Sequence, residues 1–395
     1  GRRLANLLVV FEMALCVVLL AGAGLLIRSA VKVYGTPLGV NTANVLTAMI
    51  HLPEAKYKGP EEQIAFHERL SDALRALPGV ETAALASHLP GRGWMNLSWD
   101  ADPAPSGEGE RLSHAGAIVV SAGYFRVMQV GARRGRLFSP STAGRGASEV
   151  IVNESFARRF WPGLDPLGKR LRIVDAHAAR PWLTVIGVVP DIQQNMRGGP
   201  LQGDPLVYLS YAADPQRLMF VVSRTLIPPA ALTQAFRAEV QKLDKNLPLY
   251  DVSTLEDRIA QNRLGSGIFA VLFTIFGAIA LVLASVGLYA VTAHAVSQRT
   301  REIGIRMAVG GTSRDIVRLV FVQGIRPMLI GLALGLPTAF AATRVLRMAL
   351  VGVSPGDPLT FATVVLVLLL AGLLGCTLPA RRAIAVDPIV TLRCD

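Results

Sequence analysis

Cysteine is nearly absent from this 395-residue chain. Its three examples are Cys16, Cys376 and Cys394, and none falls between Arg28 and Gly267. That long middle region therefore holds neither a disulfide framework nor a thiolate metal site. The six histidines (His51, His67, His88, His114, His177, His294) lack HxxxH-type ligand spacing. Also missing are the G-x-x-x-x-G-K-S/T phosphate loop, the G-x-G-x-x-G dinucleotide turn, the G-x-S-x-G elbow and H-E-x-x-H. Acid pairs such as Glu61-Glu62 and Glu256-Asp257 lie on expected helices or at their ends, where solvation and dipole compensation account for them. The expectation is a chain that is not an enzyme and uses no metal or cofactor.

Acidic charge is also in short supply, with 28 Asp and Glu against 40 Lys and Arg and a formal net charge of +12. The excess is not a nucleic-acid footprint. Residues 28–267 carry 27 basic and 22 acidic side chains, a mild surplus for a large domain. The remaining 13 basic residues sit mostly in short segments beside apolar runs, which suits topology control and contact with anionic lipid. No groove-reading motif accompanies them.

Apolar residues are what the chain has in abundance: 51% are hydrophobic, and mean hydropathy is +0.43. Four segments, 4–27, 268–290, 327–343 and 361–378, approach or reach the roughly 20 residues that cross a bilayer. Between the first and second lies a domain of ordinary composition, residues 28–267. Lys and Arg mark cytoplasmic segments. Arg2 and Arg3 hold the N-terminus inside, Arg299, Arg301, Arg306, Arg314 and Arg318 hold the turn between spans two and three, and Arg381, Arg382 and Arg393 hold the C-terminus. The large domain then lies outside, both termini in the cytoplasm.

Three details of the spans stand out. Glu12 is an ionisable group in span one; near the inner interface it is expected to snorkel or be protonated rather than serve a proton path. Gly331 and Gly335 form a small-xxx-small pair suited to helix packing. Pro337 is expected to kink the same helix.

The middle domain alternates strand and helix signals, giving a mixed α+β class. Strands are expected at 45–52, 80–87, 115–120, 150–153, 170–174, 183–189, 206–211 and 219–223. Helices are expected at 61–77, 154–160 and 229–245, and the Pro/Gly/acid-rich segment 90–110 is expected to be a loop.

The cytoplasmic segment 298–320 has its own grammar. Glu302 and Arg306 form an acid-first i,i+4 pair, Gly310-Gly311 breaks the helix, and Thr312-x-x-Asp315 resembles a capping box that starts the next one. Ile303, Ile305, Met307 and Val309 alternate as a strand would, yet no partner strand is expected there. Exposed apolar residues between arginines suit docking on another protein; an interfacial helix against lipid headgroups is the competing reading.

The segment Arg301-Glu302-Ile303-Gly304-Ile305-Arg306-Met307-Ala308 resembles the R-E-I-G-I-R-x-A-x-G-A signature of the MacB/FtsX-like ABC transporter permeases. Similar to that family, too, are Gly352-Val353-Ser354-Pro355-Gly356-Asp357-Pro358, Leu378-Pro379-Ala380-Arg381-Arg382-Ala383 and Asp387-Pro388. Within the large domain, Tyr124-Phe125, Gly135-Arg136-Leu137-Phe138, Asn153-Glu154 and Asp165-Pro166-Leu167-Gly168 resemble its periplasmic core. The whole chain looks like the C-terminal half of a duplicated acidobacterial-type permease. Gly311 stands where the family often has Ala.

The resemblance implies four transmembrane helices (one plus three), with a two-lobed α+β periplasmic core at 28–267 and an inserted lobe at about 121–208. It implies an FtsX-like permease domain over 268–388 in a multi-pass protein of the bacterial inner membrane. Its spans would relay the motion of a separate ABC ATPase to the periplasmic domain, in export or efflux, rather than conduct substrate. Arg301, Glu302, Gly304, Arg306, Gly310 and Gly311 would couple to that ATPase. The expected partners are the ATPase, membrane lipid and a homodimer mate or second permease half, with no nucleic acid. A membrane-anchored scaffold or sensor working without an ATPase is the alternative.

Overall fold

Residues 118–120, 150–152 and 206–209 are apolar at consecutive positions, as in a strand covered on both faces. The computed structural model, which describes residues 2–102, 113–139, 148–174, 180–195, 203–298, 313–346 and 350–384, places all three in one sheet. The described residues fall into a sheet-bearing unit, Gly35–Met196 with Pro200–Leu264, and a helical unit drawn chiefly from Gly1–Tyr34 and Gly265–Asp395.

Among the described residues the sheet has eleven strands: β1 (Val45–His51), β2 (Val80–Ala86), β3 (Met95–Asp102), β4 (Ser113–Val120), β5 (Arg134–Gly135), β6 (Glu149–Asn153), β7 (Arg170–Ile173), β8 (Leu183–Val189), β9 (Leu206–Ser210), β10 (Leu218–Thr225) and β11 (Tyr250–Thr254). Strands β11, β1, β10 and β2 pair in that order, and β4 continues it with β3, β7, β8, β6 and β9. A parallel β4–β9 ladder of five residue pairs returns this second group to its first strand. The two groups meet at one residue pair, Ala86 with Val120. Reinforcing that joint, Ser87 N–H donates to Val119 O at 2.8 Å and Ser121 N–H to Leu85 O at 3.0 Å.

Because side chains alternate along a strand, each face has its own core. Leu46, Ile50, Leu85, Val119, Val150, Val152, Val207 and Val221 belong to one. It is covered by α2 (Pro60–Arg75) through Phe66, Leu70 and Leu74, by α4 (Glu154–Phe160) through Phe156 and Phe160, and by α5 (Thr233–Leu243) through Phe236 and Val240. The opposite face gathers Val45, Ala86, Ile118, Ile151, Tyr208 and Val222 around Tyr124 and Phe125 of the short helix α3 (Tyr124–Val127).

The expected strands are present with ends shifted by at most two residues, but segment 90–110 is not simply a loop. It contains β3, which pairs with β4 on one side and β7 on the other. The polar residues Asp100 and Asp102 hide the strand in the sequence. They stand opposite Arg172 and Arg170 in register and form ion pairs with them at 2.8 and 2.6 Å. On the inward face Trp99 is fully buried, its indole N–H donating to Ala115 O at 3.2 Å.

Among the described residues, four helices are long and apolar enough to cross a membrane: α1 (Arg2–Gly35), α6 (Leu255–Ser297), α7 (Ser313–Val345) and α8 (Pro358–Ile384). Each contains one of the expected apolar segments, and α6 is the most extended beyond its own. Helix α7 remains helical through Pro327 and Pro337. Only 17% of the most apolar stretch of α6 is buried, and Ile268, Phe269, Ile275, Ile279 and Val286 lie exposed. An apolar outer surface of this kind suits hydrocarbon rather than water.

Candidate functional site

The proposed coupling residues Arg301, Glu302, Gly304, Arg306, Gly310 and Gly311 lie outside the described residues, as does Thr312 of the proposed cap. What the helical unit presents is the packing of the helices on either side of that segment.

Helix α1 supplies the inner seam. Val9, Met13, Cys16, Val17 and Ala21 are buried together with Ala284 and Leu288 of α6, Met328 and Ala339 of α7, and Val364 and Leu368 of α8. Gly331 and Gly335 face it from α7. A Cβ at Gly331 would fall 2.6 Å from the Met13 Cβ, and one at Gly335 would fall 2.9 Å from the Val17 Cβ. Nothing larger than hydrogen fits at either position unless the helices separate. Glu12 lies on the α6 side of α1: its Oε2 is buried without a hydrogen-bond partner, and a Cβ at Gly287 would come within 2.6 Å of it.

At the other end of α1, one helical face meets the segment between α7 and α8. Arg28 forms a hydrogen-bonded ion pair with Asp357. Ser29 is buried; its hydroxyl accepts from Val351 N–H at 2.8 Å. Lys32 donates to Gly352 O at 2.5 Å, and Gly352 occupies the left-handed region at φ +64°. Asp357 also caps α8, because its Oδ2 accepts from the Thr360 N–H at 2.9 Å and the Thr360 hydroxyl at 2.6 Å. Those Thr360 bonds, with the Arg28 charge, hold its carboxyl below the usual carboxylate range. Pro358 at the first helical position needs no amide partner. Neither this cap nor the pairing of Asp357 with Arg28, 329 residues away, was read from the sequence.

In the sheet-bearing unit a cleft of about 320 Å³ opens between α2 and the turn leading into α3. His67 and Tyr211 line it, their Nδ1 and hydroxyl 2.5 Å apart. Burial pushes the His67 imidazole down to about 4. Asp204 is pushed up to about 6, by burial first and by Asp191 second. Asp191 itself accepts from the Ser155 N–H and hydroxyl and from Arg158. Asp191 thereby ties the first turn of α4, whose cap is Asn153, its Oδ1 accepting from the Phe156 N–H at 2.9 Å. Among the described residues no cluster of three His, Cys, Asp or Glu side chains could hold a metal ion.

Comparison with known proteins matches the MacB-like periplasmic core domain to residues 7–243 and the FtsX-like permease C-terminal domain to residues 274–388. The "Macrolide export ATP-binding/permease protein MacB 1" of Yersinia pestis is 27% identical over 290 residues, covering 70% of this chain and 43% of that protein. The "Probable syringafactin export ATP-binding/permease protein SyfD" of Pseudomonas syringae pv. tomato is 27% identical over 286 residues, covering 70% and 42%. This chain thus aligns with less than half the length of these relatives. The solved periplasmic region of MacB from Actinobacillus actinomycetemcomitans covers 58% of this chain and 96% of its own, at 15% identity and a TM-score of 0.38. The periplasmic-core profile spans more than half of the sequence and the permease profile follows it in order, so the chain belongs to the MacB/FtsX-like family of ABC transporter permeases.

Proposed function

We propose that the chain is the permease subunit of an ABC-type export system in the bacterial inner membrane, transmitting ATP-driven motion of a separate ATPase to a periplasmic domain. The observation that carries this reading is modular order: an apolar helix, a MacB-like core, then three apolar helices of an FtsX-like domain. Ten of the 13 basic residues outside the large domain fall in the segments that would be cytoplasmic, which supports placing both termini inside.

The ATPase docks on segment 298–320 through Arg301, Glu302, Gly304 and Arg306, with Gly310-Gly311 as the turn before α7. Gly331 and Gly335 seat α7 against α1, so a push on the loop reaches the helix that leads into the periplasmic domain. That domain consists of two lobes. The single β2–β4 residue pair supports a division of the sheet between those strands. A homodimer mate or second permease half completes the unit. The exported substrate is a drug, lipid or peptide; the names of the two relatives, for a macrolide and for syringafactin, fit that range.

The test is co-purification from membranes. The wild-type chain should retain an ATPase bearing Walker motifs, and Glu302→Arg or Gly304→Trp should lose it. Undiminished retention by both variants would end the docking assignment.

A further inference from the structure

Segment 351–357, joining α7 to α8, carries a family-like motif to which the transport reading gives no task. It meets α1 at three points. Arg28, Ser29 and Lys32 lie within about one helical turn and so share a face. They engage Asp357, Val351 and Gly352 respectively. Beneath these polar contacts Leu25 and Leu26 pack with Leu350, and Val353 lies against the same cluster. One turn further back, a Cβ at Gly24 would fall 2.7 Å from Thr360 Cγ2, so the α1 backbone comes close to the first turn of α8. The segment is also secured to α7. Thr343 donates to Pro355 O at 3.1 Å, and a Cβ at Gly356 would come within 2.8 Å of the Phe340 ring.

We propose that this segment is a latch that makes the end of α1 and the start of α8 move as one body, with Arg28 and Asp357 as its positioning residues. Three features favour a latch over an incidental surface pair. Asp357 Oδ2 serves two helices at once, capping α8 while accepting from α1. A substitution at Asp357 therefore loosens a helix start as well as an ion pair. The Ser29–Val351 contact is buried, and a backbone amide left without its acceptor there is costly. Finally, α1 is the helix from which the chain continues directly into the sheet-bearing unit at Gly35. Resting on the transmission reading, the latch would let motion gathered by α7 and α8 reach the periplasmic domain through α1 instead of being lost in relative slippage.

The test uses the full chain in lipid nanodiscs with spin labels at the exposed positions Val31 and Leu359. Wild type should give a narrow distance distribution. Arg28→Gln combined with Ser29→Ala should at least double its width, whereas Arg28→Lys should leave it narrow. An unchanged width in the double variant overturns the latch. A second readout separates latch from coupling: in vesicles containing the cognate ATPase, a fluorophore at Leu226 in the sheet-bearing unit reports ATP addition. Arg28→Gln with Ser29→Ala should keep the hydrolysis rate and lose most of the fluorescence response, and a full response despite a doubled width overturns the positioning role. A wild type that shows no ATP response refutes the coupling reading, while the label distances still decide whether the latch exists.

Discussion

At the scale of single residues, the sheet-bearing domain rests on a few polar groups buried in unusual company. Arg224 is almost completely buried; its guanidinium donates to the backbone carbonyls of Val127, Ala43 and Asn41 at 2.8, 2.7 and 2.6 Å. A planar fork is required to reach three acceptors in different directions, which an ammonium cannot replicate. Arg224→Lys should therefore cost about 2–3 kcal/mol in denaturant unfolding, since it strands buried carbonyls. His67 supplies one part of the pH dependence. Its folded-state value near 4 lies below the unfolded 6.5, so between those limits the unfolded chain binds the proton more readily. The His67 contribution is full above pH 6.5 and falls by about 3 kcal/mol as pH drops towards 4, whereas Asp204, raised to about 6, favours the folded state as pH falls through the same window. In His67→Gln that share of the acid loss should vanish, so that stability at pH 4 relative to pH 7 is higher in the variant than in the wild type. An unaltered curve would mean that other groups dominate. Neither residue announced itself in the sequence. An arginine in an apolar strand and a histidine on an amphipathic helix look ordinary until burial is known.

Among the elements, legibility followed the number of faces each one buries. Strands covered on both sides, such as β6 and β9, are continuous apolar runs and could be placed from sequence alone. Strand β3 could not, because its outward residues pair with arginines on β7, a partner distant in sequence. Its inward face still matters. Trp99→Ala should destabilise the domain by about 3–5 kcal/mol through the cavity it leaves. The glycine spacing on α7 was visible, but only the structure names Met13 and Val17 as what those glycines face. Gly331→Leu should cost about 1–3 kcal/mol by overpacking, measurable as a lower melting temperature of the detergent-solubilised chain. The same change at Gly93, where a Cβ meets nothing within 4 Å, tests backbone strain alone because its φ is +92°. At the head of α8, Asp357→Ala removes a cap worth about 1 kcal/mol, whereas Asp357→Asn retains an acceptor for the Thr360 amide. Melting temperatures should rank wild type, then Asn, then Ala. Because the Asp357 carboxyl titrates below its unfolded value, its contribution is present at neutral pH and is lost on strong acidification.

For the molecule as a whole, the long-range order of the chain was its most readable property. One apolar helix, a large domain and three more apolar helices follow from hydropathy alone, and the two family matches come in the same order along the chain. What hydropathy cannot supply is the tertiary contact between distant segments, of which Arg28 with Asp357 is the extreme case. The most direct measurement places a fluorophore at Leu226, on the exposed surface of the sheet-bearing domain, in vesicles containing the chain and its co-purified ATPase. ATP supplied only on the side of segment 298–320 should change the emission of the wild-type protein across the membrane and leave Glu302→Arg silent. A response that persists in Glu302→Arg, or none in the wild type while ATP is being hydrolysed, would contradict transmission through that segment.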